Sequence, residues 1–180
     1  FIGTSSADFR RTANRHDESL APPPTVLNRL EDAGVTTIGV GKISDIFADS
    51  GITESHPTRS NTHGMSTIED LWREGRDGPH LVFANLVDFD MLYGHRRDPG
   101  GYATALIEFD RWLGGFLARF DPPDLLIITA DHGNDPYHGG TDHTRERVPL
   151  LTLHAPETSV SNGGFGTVAR LLARHFGLPG

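Results

Sequence analysis

The chain has 180 residues, 36% of them hydrophobic, and 16 basic against 24 acidic side chains give a formal charge of −8. That length and composition describe one ordinary domain with a real apolar core, and the acidic balance disfavours a basic face for nucleic acid. The absence of cysteine excludes disulfides, thiolate metal sites and cysteine nucleophiles together, and no apolar run approaches the roughly 18 residues of a membrane span.

No secretory signal opens the sequence. It begins with Phe1 rather than methionine, which reads as a processed or partial product. The basic residues are fifteen arginines and a single lysine, Lys42. Residues 1–24 are polar and broken and end in Pro22-Pro23-Pro24, so a boundary is expected near residue 20. Residues 25–33 predict a helix, with Gly34 placed where a terminating glycine sits. Residues 35–40 are β-branched and apolar and predict a buried strand. Ser66-Thr67-Ile68-Glu69 has the form of a capping box and predicts a short helix starting there.

Residues 81–87 form a continuous apolar run, the signature of a buried strand. Asp98-Pro99 then predicts a helix start, with aspartate as cap and proline in the first turn. Tyr102, Leu106, Phe109, Leu113, Phe116, Leu117 and Phe120 recur at spacings of three and four, an apolar face for a sheet. Strands follow at 125–130 and 148–153, and a closing helix at 168–176. Strands alternating with helices predict an α/β fold, a mostly parallel sheet with helices on both faces. In such sheets the chemistry gathers beyond the carboxyl ends of the strands.

The polar clusters fall at those ends. The strand at 81–87 runs into Asp88-Phe89-Asp90 and on to His95, and the strand at 125–130 runs into Asp131-His132. Asp142-His143 lies just before the last strand. Aspartate and histidine at loop tips make a ligand set for Zn²⁺, Mn²⁺ or Fe, and Mn²⁺ suits the oxygen-rich end of that range. One aspartate alone is readily explained as a cap or turn residue. Three such loops together are better explained by a cation that offsets their crowded charge.

The strings Asn85-Leu86-Val87-Asp88-Phe89-Asp90, Tyr93-Gly94-His95-Arg96-Arg97-Asp98, Asp131-His132-Gly133-Asn134-Asp135 and Thr141-Asp142-His143-Thr144-Arg145-Glu146 resemble the phosphopentomutase family of the alkaline phosphatase superfamily. Gly41-Lys42-Ile43-Ser44-Asp45-Ile46-Phe47 and Arg11-Thr12-Ala13-Asn14-Arg15-His16-Asp17 resemble the same family, so the likeness runs along nearly the whole chain. It implies a cytoplasmic enzyme with an alkaline-phosphatase-like core that interconverts (deoxy)ribose 1-phosphate and 5-phosphate with two Mn²⁺ ions. By that resemblance Asp90, His95 and His143 hold one metal. Asp131 and His132 hold the second, beside an aspartate from the first strand of the domain. Asp88 is a competing ligand, two residues from Asp90 on an extended chain. Lys42 would meet a substrate phosphate, or be simply solvated. Arg15 and His16 would be a second phosphate contact, or part of an exposed loop.

The resemblance places residues 1–20 at the end of a mobile cap and its linker, and 21–180 in the C-terminal part of the metal-binding core. The family's first-strand aspartate and its phosphorylated threonine have no match in this sequence, nor does most of the cap. No catalytic nucleophile is therefore assigned here, and the 180-residue chain by itself is expected to be inactive. Two other readings fit: a related metal-dependent phosphatase or phosphoglycerate-type mutase, or a non-catalytic remnant domain.

Overall fold

The computed structural model describes residues 19–156 and 163–179. Thr25 opens the first helix, α1 (Val26–Asp32), through a reciprocal cap: its side chain accepts from the Leu27 amide while the Asn28 side chain accepts from the Thr25 amide. A cap of this kind contributes about 1 kcal/mol. The helix is capped by Ala33, and Gly34 follows with φ +80°, at the position expected for the terminating glycine.

Strand β1 (Thr36–Val40) is the centre of a three-stranded parallel sheet, with β2 (Glu54–His56) on one side and β3 (His80–Ala84) on the other. Its side chains alternate between faces. Ile38 and Val40 are fully buried against Leu71, with Ile68, Val82 and Ala84 around them. On the opposite face Gly39 leaves room for helix α2 (Ile43–Phe47), whose Ile43 Cβ would stand 3.3 Å from any added Cβ. The Thr37 hydroxyl is satisfied by donating to the Gly51 carbonyl at 2.6 Å, so its complete burial carries no unpaired polar group. Helices thus cover both faces of this sheet, as expected.

The expected helix start at Ser66 is corrected. Helix α3 (Asn61–Glu74) begins five residues earlier, where the Ser60 hydroxyl accepts from the His63 amide at 3.1 Å. Ser66 and Thr67 instead donate back to the His63 carbonyl, a helix-interior habit of hydroxyl side chains. Helix α4 (Pro99–Leu117) starts where Asp98-Pro99 predicted, with the Asp98 carboxylate accepting from the Gly101 amide at 2.9 Å. Its apolar face buries Phe116 against Trp112 and against Trp72 of α3. Leu106, expected on that face, is 48% exposed, so the packed stripe is narrower than the spacing implied.

The last two strands, β4 (Leu126–Thr129) and β5 (Leu150–Leu153), pair antiparallel, and among the described residues no ladder joins them to β1–β3. Among the described residues two of the three ladders are parallel, which keeps the α/β class and confines the departure to this pair. Helix α5 (Thr167–His175) closes the chain against α1, burying Leu171 and Leu172. Among the described residues no helix is long and apolar enough to cross a membrane.

Candidate metal centre

Between β3 and α4 the chain makes a π-helical turn, Phe89–Gly94, that sequence periodicity did not reveal. The His95 amide donates to the Asp90 carbonyl at 2.9 Å, a five-residue step. In an α-helix five residues overshoot one turn by about 140°, which would point Asp90 and His95 apart. The wider π turn brings them back to one side, and such turns concentrate at functional sites. Here His95 Nε2 lies 3.3 Å from Asp90 Oδ2.

The third member arrives from a distant loop. Thr144 forms an isolated antiparallel bridge with Gly133, its amide donating to the Gly133 carbonyl at 2.9 Å. His132 and His143 each precede a partner of that bridge, and their rings stack with centroids 3.6 Å apart. The same placement brings His143 Nε2 to 3.5 Å from Asp90 Oδ1. Asp90, His95 and His143 therefore each offer a ligand atom, all within 4.8 Å of one another. Donors that share a cation at bond lengths near 2.1 Å stand roughly 3.0–3.5 Å apart, so the carboxylate–imidazole separations fit a divalent ion. The donor set, one carboxylate and two imidazoles, suits Mn²⁺ or Zn²⁺.

Support around these groups is specific. His95 Nδ1 lies 2.5 Å from the Thr141 carbonyl, which leaves Nε2 facing Asp90. Asn134 donates from Nδ2 to Asp90 Oδ1 at 2.6 Å. That approach requires Gly94, because a Cβ there would lie 2.5 Å from Asn134 Nδ2. Tyr102 of α4 packs its ring 5.6 Å from that of Phe89. Burial, and then the Asp90 charge, pushes the Tyr102 phenol above its ordinary value.

The other expected site residues divide clearly. Asp131 Oδ2 lies 3.6 Å from His132 Nε2, and this pair adjoins the first cluster through the stacked rings. Asp88 turns elsewhere: its carboxylate accepts from the Asn61 amide at 2.7 Å at the start of α3. Lys42 follows β1 on the same rim, and its ammonium lies 3.2 Å from the sulfur of Met91, the neighbour of Asp90. Gly41, with φ +85° and no room for a Cβ beside the Asn85 carbonyl, makes the turn that sends Lys42 there. Arg15 and His16 lie outside the described residues.

Sequence reasoning gave Asn134 and Arg97 no role, although both fall inside the quoted motifs. The available signal was an amide and a guanidinium among carboxylates at a strand end, groups that orient ligands rather than bind cations.

Comparisons with known proteins agree with a metal centre. Residues 7–180 match the family model of the Metalloenzyme superfamily. A phosphopentomutase of Symbiobacterium thermophilum is 54% identical over 156 residues, covering 87% of this chain and 39% of the relative. One from Syntrophotalea carbinolica is 56% identical over 84% of this chain and 38% of the relative. One from Clostridium perfringens is 47% identical over 99% of this chain and 46% of the relative. The chain thus spans less than half the length of these curated relatives and matches their C-terminal part. A family match across almost the whole sequence, over loops that gather a carboxylate and imidazoles at one rim, shows that this chain belongs to the Metalloenzyme superfamily.

Proposed function

We propose that this chain is the C-terminal, metal-holding part of a cytoplasmic phosphopentomutase, which interconverts (deoxy)ribose 1-phosphate and (deoxy)ribose 5-phosphate. The observation that carries the reading is the convergence of Asp90, His95 and His143 from two separate loops. In this proposal those three side chains hold one Mn²⁺. Asp131 and His132 contribute to a second, completed by a carboxylate that this chain does not supply. When bound, the ions would offset negative charge on the transferring phosphoryl oxygens.

The chain's own residues then have distinct tasks. Asn134 fixes the Asp90 carboxylate through its donated hydrogen bond. The Thr141 carbonyl orients the His95 ring. Lys42 presents an ammonium over the rim, held loosely by a thioether, where it can meet a sugar phosphate at little cost. Arg15 and His16 are proposed as a second phosphate contact, from the segment that resembles the family's linker to its cap.

Calorimetric titration of the chain with Mn²⁺ tests the metal centre, with His143→Ala as the control. A resolvable isotherm lost in the variant supports it, and the absence of any heat of binding refutes it. A coupled assay with ribose 1-phosphate tests the activity. The 180-residue chain alone is expected to turn over no faster than His143→Ala, because the nucleophilic threonine has no counterpart in it. Turnover above that control would contradict this assignment of parts.

A further inference from the structure

Arg97 is one of two adjacent arginines between His95 and α4, and the two behave very differently. Arg96 makes one long contact, from Nε to the Met91 carbonyl at 3.3 Å. Arg97 holds its backbone at φ +54°, a conformation that side-chain-bearing residues rarely adopt, and uses every nitrogen of its guanidinium. Its Nη1 faces the carbonyls of Gly94 at 3.0 Å and Asp135 at 2.8 Å and the Asn134 side-chain oxygen at 2.7 Å. Its Nη2 donates to the Asp142 carbonyl at 2.7 Å, and its Nε to the Gly140 carbonyl. One planar cation thus ties together the π turn, the loop after β4 and the loop that ends in His143.

The chemistry of the contacts fixes a direction. A guanidinium can only donate, so the Asn134 oxygen must face Arg97 and its NH₂ must face away. That NH₂ is the group that reaches Asp90 Oδ1 at 2.6 Å. We infer that Arg97 is a positioning residue for cation binding. It sets the orientation of the Asp90 carboxylate through Asn134 and holds the backbone of Asp142 so that His143 meets Asp90. The inference rests on the reading of Asp90, His95 and His143 as cation ligands, and it extends that reading to what pre-forms the site. Lysine would not replace Arg97, because a single ammonium cannot reach acceptors spread over three segments.

The test uses Mn²⁺ itself, titrated calorimetrically into the full chain and into Arg97→Ala, Asn134→Ala and Arg96→Ala. Thermal unfolding of each without metal is measured in parallel. Expected is a loss of Mn²⁺ affinity of roughly 10–100-fold in Arg97→Ala and Asn134→Ala, the usual consequence of removing an outer-shell partner. Arg96→Ala should bind as the parent does. Added guanidinium ion, kept below denaturing concentration, should restore part of the affinity to Arg97→Ala and none to Asn134→Ala. If Arg97→Ala does not fold, Asn134→Ala decides: it removes the relay while leaving Arg97's carbonyl contacts in place. Parent-like Mn²⁺ affinity in Asn134→Ala, or in a folded Arg97→Ala, overturns the inference. A parent chain that binds no Mn²⁺ at all overturns the ligand reading beneath it, and the two failures are thereby told apart.

Discussion

Asp88 and Asn61 bond to each other in both directions: the Asn61 amide donates to the Asp88 carboxylate at 2.7 Å, and the Asp88 amide donates to the Asn61 side-chain oxygen at 2.9 Å. This reciprocal pair ties the start of α3 to the exit of β3 and commits Asp88 to structure. Replacement of Asp88 by alanine is therefore expected to cost about 1–3 kcal/mol in urea unfolding, since it leaves the backbone amide of the largely buried Asn61 without its carboxylate acceptor. Mn²⁺ affinity should change little. Asp90→Ala should do the reverse, abolishing the Mn²⁺ isotherm. A loss of metal binding in Asp88→Ala at unchanged stability would assign the ligand to the wrong aspartate.

Gly94 offers a steric test of the same centre. Alanine there drives a methyl group into the Asn134 amide and separates it from Asp90. The expected outcome is a drop in Mn²⁺ affinity of roughly 10–100-fold, comparable to removing the amide itself. Equal affinities for Gly94→Ala and the parent in a calorimetric titration would contradict the packing described.

A pH dependence follows from the far side of the parallel sheet. Arg76 donates two hydrogen bonds to Glu54, at 2.7 and 2.9 Å, and His56 lies 2.6 Å from the same carboxylate. The Arg76 hydrogen bonds chiefly, opposed by burial and aided by His56, hold the Glu54 carboxyl below its usual 4.5. The folded state therefore binds this proton more weakly than the unfolded chain. The resulting stabilisation is complete above the unfolded value and disappears as pH falls through the lower folded one. Glu54→Gln should flatten the acid limb of a stability–pH curve below about pH 4.5, and an unchanged limb would show that Glu54 contributes nothing there.

The aromatic layer between α3 and α4 supplies a prediction about the fold. Phe116 is 3% exposed and lies 5.5 Å from Trp72 and 5.1 Å from Trp112, ring centre to ring centre. Truncation to alanine leaves a cavity and removes the ring contacts with Trp72, Trp112 and Phe120, a loss of about 3–5 kcal/mol. Leu106→Ala, on the exposed part of the same helix, should cost under about 0.5 kcal/mol in the same denaturation series.

Much of the architecture was legible because it rests on local signals. The Asp98-Pro99 start of α4 and the β-branched run of β1 were read within a residue of where they stand. The α3 start was misplaced because Ser66-Thr67-Ile68-Glu69 satisfies the capping pattern, while the real cap at Ser60 is followed by Asn61 and Gly64, poor helix formers. The π turn was invisible, since periodicity is sought at 3.6 or 2.0 and a single wider turn leaves neither trace. The residue types at the centre were plain in the sequence, and the choice between Asp88 and Asp90 was not. Which aspartate faces His95 depends on that turn, and Asp88's partner lies 27 positions away along the chain.

The separation of β4–β5 from β1–β3 gives the cluster a mechanical meaning. Asp90 and His95 belong to the exit of one sheet, whereas His143 belongs to the hairpin-like connection of the other. An ion gripped by all three would be a rivet between two slabs that share no backbone ladder among the described residues. Loading it closes a loop of some fifty residues and should slow amide exchange in both slabs together, most visibly along β4 and β5.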